Sequence, residues 1–361
     1  MAVYDPGDLE DLRNLKQCLV DGELSSERLT RLLAKHRSRI CGSPRGNSCI
    51  RNLKVDELAQ ALIPNELELS VASTGQTIVA KSVHGDGNCL YHSASTHIQG
   101  SEALSISLRI LTAAEIFTRA SYYSQHPCFA EAANCTATGM RSVETLKIVA
   151  LSSSVLNTSD DSTDLCIEEA LKREAINTCF FTSISDIHCF AYSTLFHVMA
   201  LANVLNKPLF SVYPDANYGI RPLYHRIMYP EGTQRMQDMK PHMIMWTRDS
   251  NLDNRFGSIF EPNHFVPLFL SDSKDDNKAW KSLCAQFFSS STKPLEKEIV
   301  QIDLSKEEFP PLTRNKPRER PLSNANKQKV KGKGSGGKWK PQLKFISKQW
   351  YRRRRSSDVG Q

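Results

Sequence analysis

Apolar residues recur at helical spacing along the first 36 positions. Leu9, Leu12, Leu15 and Leu19 form one stripe and Leu29, Leu32 and Leu33 a second, with Ser25-Ser26-Glu27 as a cap between them. Residues 9–36 are therefore predicted to form one or two amphipathic helices. Leu104, Leu108, Leu111 and Ile116 mark another helix, and Tyr192, Leu195, Phe196 and Met199, at i, i+3, i+4, i+7, mark one more. Such stripes are core positions rather than cofactor contacts. Between these two helices, residues 152–164 are rich in Ser, Thr and Asp and read as a loop. Short apolar runs of strand length follow at 209–213, 223–228, 243–247 and 265–270, separated by turn signals such as Asn206-Lys207-Pro208 and Pro214-Asp215. Helices followed by strands predict an α/β (α+β) layered domain, a small sheet flanked by helices, ending near Leu270.

Composition fits a globular body: 361 residues, 40% hydrophobic and 24% charged, exclude a collagenous, fibrous or wholly disordered chain. The formal charge of +7 is unevenly placed. From Ser271 onward 22 Lys+Arg stand against 10 Asp+Glu, net +12, which leaves residues 1–270 at net −5. A helix-like piece (Trp280, Leu283, Cys284, Phe287, Phe288) gives way to sequence too poor in apolar residues to offset its ordering entropy. Residues 273–361 are expected to be a disordered basic tail. Within it, positions 309–361 carry 16 Lys+Arg and only Glu319 and Asp358, including the run Arg352-Arg353-Arg354-Arg355, a composition that binds polyanions such as nucleic acid or serves nuclear import. From Arg28 to Lys54 there are eight basic residues and no acid, which suits a solvated face and a nucleic-acid contact about equally.

Acids stand near the start of the chain where an export signal would carry Lys or Arg, and no apolar run follows them. The longest apolar stretch, 195–205, is too short to span a bilayer and is interrupted by His197 and Asn203, so no membrane partner is expected. Ten cysteines spread thinly from Cys18 to Cys284 suit a reducing intracellular setting, cytoplasmic and/or nuclear, and match no zinc-ligand spacing. All but one of them are expected to be small buried side chains.

The exception is Cys89. A strand-like lead, Thr77-Ile78-Val79-Ala80, enters the turn Gly85-Asp86-Gly87-Asn88, and Cys89 then opens a segment that can continue as a helix. Unpaired N–H groups and the positive dipole end at a helix N-terminus favour an anion, so a lowered thiol pKa is expected there. Gly85 and Gly87 can bring backbone N–H groups close to a substrate carbonyl, as an oxyanion hole requires. A cysteine nucleophile needs a distant histidine as base, and His264 at the start of the last predicted strand supplies one. His84 and His92 flank the loop and are read as supporting residues.

Asp86-Gly87-Asn88-Cys89-Leu90-Tyr91 resembles the signature of ovarian-tumour (OTU) cysteine proteases, and His264-Phe265-Val266-Pro267-Leu268 resembles that family's histidine strand. The intervening text is similar to an OTU-like branch that includes vertnin and transposon-borne proteins. The resemblance implies a papain-type cysteine protease domain at 65–272, preceded by a helical N-terminal extension at 1–64. It implies a deubiquitinase acting on ubiquitin or a ubiquitin-like partner without metal or organic cofactor. Cys89 would be the nucleophile, His264 the base and then the acid, and Asp86 the residue that shapes the oxyanion loop. One departure stands out: where many OTU proteases carry Asn or Asp two residues after the histidine, this chain has Val266. Asn263, Glu261, Asp253 and Asp56 are candidate replacements, and a Cys–His dyad is the other arrangement. Loss of the orienting acid costs a Ser–His–Asp enzyme about four orders of magnitude in turnover, so a feeble or inactive scaffold that binds nucleic acid or chromatin through its basic tail is the alternative.

Overall fold

The computed structural model describes residues 4–42, 53–135, 142–151, 167–184, 187–216, 219–232, 240–248, 260 and 262–271. The predicted tail at 273–361 and the loop at 152–164 lie outside the described residues.

The two leucine stripes form α1 (Pro6–Asp21) and α2 (Glu27–Cys41), with Ser26 capping the second by accepting from the Leu29 N–H. After α3 (Glu57–Gln60) and α4 (Asn65–Ala72) come β1 (Ile78–Ala80), α5 (Cys89–Gln99) and α6 (Ser105–Thr118). Short helices α7 (Ala120–Ser124), α8 (Cys128–Cys135) and α9 (Val143–Leu151) lead to α10 (Ile167–Thr178). A hairpin of β2 (Phe181–Ile184) and β3 (Ile187–Phe190) precedes α11 (Leu195–Leu205), β4 (Leu209–Val212), α12 (Arg221–Tyr224), β5 (Arg226–Met228), β6 (His242–Thr247) and β7 (His264–Leu270). The five-stranded sheet has the order β1-β7-β6-β4-β5, with β4 and β6 parallel and the other pairs antiparallel. It is a small mixed sheet between helices, an α/β architecture.

Both faces of this sheet are covered, which explains why its strands read as nearly unbroken apolar runs. Leu209, Ile244, Trp246 and Phe265 pack with α5 and α11 on one face; Phe210, Val212, Met243, Met245, Val266 and Leu268 pack with Ala59, Ile63 and Leu67 on the other. A third core lies outside α6, where Ile106, Ile110, Ala113 and Ala114 meet the leucines of α1 and α2. The N-terminal helices therefore pack directly on the domain body.

Two local expectations are corrected. Tyr192 does not join the stripe of α11, which starts at Leu195, and is 43% exposed. The apolar run 223–228 is not one strand, because Pro222 lies in the first turn of α12 and the strand begins only at Arg226, after His225 leaves the helical region (ψ 80°). Much of the basic charge of α2 is also accounted for. Lys35 pairs with Asp11 at 2.5 Å and Arg39 with Asp8, both acids of α1, while Arg31 pairs with Glu27 of α2 itself and Arg28 bonds to the uncharged Asn14. Arg45 and Arg51 lie outside the described residues.

Candidate active site

Asp86 begins the site with a local turn: its Oδ1 accepts the Asn88 N–H at 2.9 Å, as short acidic side chains do two residues on. The same carboxylate accepts the Tyr4 hydroxyl and lies 3.3 Å from His92 Nε2. Burial acts to raise its pKa, but the His92 and Tyr4 hydrogen bonds and the Asn88 amide outweigh burial and leave it below the ordinary value. Gly87 follows at φ +87°, and a Cβ there would lie 2.1 Å from the Phe190 carbonyl oxygen. Only glycine fits that backbone and that approach.

Asn88 stands at the N-cap of α5 but does not cap it with its side chain. Its Oδ1 instead accepts from Arg109 Nη1 at 3.2 Å. Arg109 is fully buried and reaches four oxygens: Gly87 O and Asn88 Oδ1 at 3.2 Å, Ala191 O at 2.7 Å and Thr178 O at 2.6 Å. The guanidinium also lies over the rings of Phe190 and Tyr91. One side chain on α6 thus ties the signature loop to the end of β3 and to the end of α10. Sequence reasoning missed it, because an arginine in an apolar helical stretch gives no sign of partners so far along the chain.

With its cap turned aside, α5 leaves backbone N–H groups at Cys89. The backbone amides of Phe265, Leu90 and Cys89 itself act to favour the thiolate. Cys89 and Phe265 share one apolar core, which sets the opening of α5 against β7 one residue along from His264, across 175 positions of sequence. Cys89 is nevertheless 2% exposed, and burial pushes its thiol up to about 12 against those three N–H groups, with the Asp86 charge adding to the rise. The expectation of a lowered thiol pKa is corrected: desolvation outweighs the helix N-terminus in this closed arrangement.

His264 is buried at the first position of β7, directly opposite Thr247. Val266 packs in the lower apolar core opposite Met245, where an ionised acid would have no solvation. Of the candidate replacements, Asp56 caps α3 through the Ala59 N–H and sits beside β1, while the backbone N–H of Asn263 donates to Thr247 O at 3.0 Å. Asp253 and Glu261 lie outside the described residues. Thr247, which the sequence reading did not consider, has a buried hydroxyl without a hydrogen bond, facing His264 across the strand pair. The signal available beforehand was its place at the end of a strand-like run.

His84 and His92 are joined through Glu102. His84 Nδ1 lies 2.6 Å from Glu102 Oε2 and its amide donates to Oε1, while His92 Nδ1 lies 3.3 Å from Oε2. Elsewhere, the ligand atoms of Asp8, Asp11 and His36 lie within 4.8 Å of one another, but Arg39 and Lys35 already pair with the two carboxylates. Among the described cysteines, all seven are free thiols, and Cys41 and Cys135 are exposed rather than buried as expected.

A small mixed sheet between helices, with a cysteine opening a buried helix after a glycine turn, is consistent with an OTU-like α/β domain. Residues 80–247 match the family model of the vertnin OTU domain. Vertnin of Danio rerio is 30% identical over 216 residues, 59% of this chain and 27% of its own length; vertnin of Homo sapiens is 28% identical over 232 residues, 62% and 27%. Over this span the chain is similar to the vertnin branch of the OTU family. It covers only about a quarter of the length of these curated relatives, and the matched span holds Cys89 but stops before His264.

Proposed function

We propose that the domain is a thiol-dependent hydrolase, a deubiquitinase that cleaves peptide or isopeptide bonds after the C-terminus of ubiquitin or a ubiquitin-like modifier. The observation that supports this reading is the packing of Cys89, at the opening of α5, in one core with Phe265, the neighbour of His264 on β7. His264 takes the thiol proton as Cys89 attacks the carbonyl carbon, then delivers it to the leaving amine. Water hydrolyses the resulting thioester, and neither metal nor cofactor takes part. Asp86 shapes the loop whose N–H groups face the developing oxyanion. Thr247 is the polar group placed to orient the imidazole where Val266 cannot.

A ubiquitin-derived electrophilic probe tests this. Wild type is expected to form an adduct that Cys89→Ala abolishes and Thr247→Val slows by roughly ten-fold, the scale of the hydrogen bond its hydroxyl gains on turning to the imidazolium during reaction. No adduct with ubiquitin or related modifiers sinks the reading, and unchanged labelling of Thr247→Val removes Thr247 from it.

A second reading is favoured by the burial of Cys89 and the apolar setting of Val266. In it the domain is a catalytically weak or inactive OTU-like scaffold that binds nucleic acid or chromatin through the basic residues at 309–361, and the tail decides its cytoplasmic or nuclear location. Affinity then falls steeply with salt as counterions are displaced from phosphates. Binding that ignores salt, or survives deletion of 309–361, counts against it.

A further inference from the structure

The segment leading into α1 crosses the signature loop. The Tyr4 hydroxyl donates to Asp86 Oδ2, its oxygen lies 3.0 Å from His92 Nε2, and Asn88 Nδ2 reaches it at 3.5 Å. Its ring meets Phe190 edge-on, centroids 5.2 Å apart, and stacks with His92 at 6.1 Å. Phe190 is the other wall of the same closure. Its N–H donates to Asp86 O at 2.8 Å, and its carbonyl fills the space beside Gly87. Tyr4 therefore holds both sides of the seam, with its hydroxyl on Asp86 and its ring on Phe190. Burial, with the adjacent Asp86 charge, raises the phenol pKa far above its ordinary value, so the hydroxyl stays protonated and remains a donor.

We infer that Tyr4 is a positioning residue for Cys89: its hydroxyl fastens the loop from Asp86 to Cys89 against Phe190 and so sets how far the thiol is open to reagents and substrate. The remaining supports of the loop do not depend on it. The Asn88 amide, His92 and Arg109 hold their own partners, so losing the Tyr4 hydroxyl loosens the seam without removing the fold. The inference concerns the same loop as the hydrolase reading but stands without it, because thiol alkylation needs no ubiquitin and no turnover.

The test is iodoacetamide alkylation of the full chain, read cysteine by cysteine by peptide mass spectrometry, in wild type, Tyr4→Phe and Tyr4→Ala. Tyr4→Phe keeps the ring and loses only the hydroxyl. Its Cys89 is expected to react roughly ten-fold faster than in wild type, the scale of one hydrogen bond to a carboxylate, and that of Tyr4→Ala faster still. Cys128, buried in the main core away from Tyr4 and with its thiol likewise pushed to about 12 by burial, reports on the rest of the fold and should keep its wild-type rate. Wild-type reactivity of Cys89 in both variants overturns the inference. So does acceleration in Tyr4→Ala alone, which would assign the effect to the ring, and so does a parallel rise at Cys128, which would be general loosening.

Discussion

Arg109 donates to the carbonyl oxygen of Gly87 at 3.2 Å, joining the middle of α6 to the turn before the candidate nucleophile. The guanidinium is buried among carbonyl and amide oxygens and two aromatic faces, with the neighbouring Asp86 carboxylate held by Tyr4, His92 and Asn88 instead. A charge in such a place is tolerated only because its donors are met. The oxygens it meets belong to the turn, the end of β3 and the end of α10, so one residue fixes three segments around Cys89.

Replacing Arg109 with Met keeps much of the volume and orphans those oxygens. A loss of about 2–4 kcal/mol is expected, less than four full hydrogen bonds because the buried charge also disappears. Denaturant unfolding measures it. A loss below about 1 kcal/mol would mean that water takes over the four acceptors, and Arg109 would not be the tie described.

Gly87→Ala combines a left-handed backbone with direct overlap on the Phe190 carbonyl, whereas Gly75, at φ +76°, has open space where its Cβ would be. Gly75→Ala is expected to cost about 1–2 kcal/mol from backbone strain alone. Gly87→Ala should exceed it by at least about 1 kcal/mol, since either the loop or the strand must shift. Equal midpoint shifts in thermal or denaturant unfolding would show that the seam between Gly87 and Phe190 opens freely.

His197 links the same network to acid stability. Its Nδ1 accepts from the Thr194 amide at 2.8 Å, and its Nε2 lies 2.6 Å from Thr178 Oγ1, the residue whose carbonyl Arg109 holds. Burial, with Arg109 adding, lowers its pKa from 6.5 to about 3. As pH falls below 6.5 the unfolded chain takes up a proton that the folded chain refuses until about 3. Stability present above pH 6.5 is therefore lost progressively across that window, on the order of a few kcal/mol. His197→Gln should flatten this part of the stability–pH curve, which urea unfolding between pH 7 and 4 records. His225, lowered to about 3 by burial, keeps some slope in the variant. An unchanged slope would contradict the assignment to His197.

The parts of the fold that were legible beforehand are those in which neighbouring residues carry the signal. The stripes of α1 and α2 show because a helix buries every third or fourth residue, and the runs of β4, β6 and β7 show because both faces of the sheet are covered. The turn Asp86-Gly87-Asn88 before Cys89 was visible for the same reason. Helices α8 and α10 and the hairpin of β2 and β3 were missed, because each is short or amphipathic only against a neighbour that the local sequence does not name.

The chemistry on offer is written in neighbouring residues: a thiol at the opening of a helix, a glycine that alone tolerates the turn, and a histidine at the head of a strand. These are properties of single residues and their immediate backbone. The environment of that chemistry arises when distant segments pack together. Folding buries Cys89 and raises its thiol pKa, and it sets Thr247 rather than an acid opposite His264. It also closes the loop with Arg109 and Tyr4, drawn from distant positions. Desolvation and hydrogen-bond partnership depend on which groups surround an atom in space, and neither has a local trace in the chain.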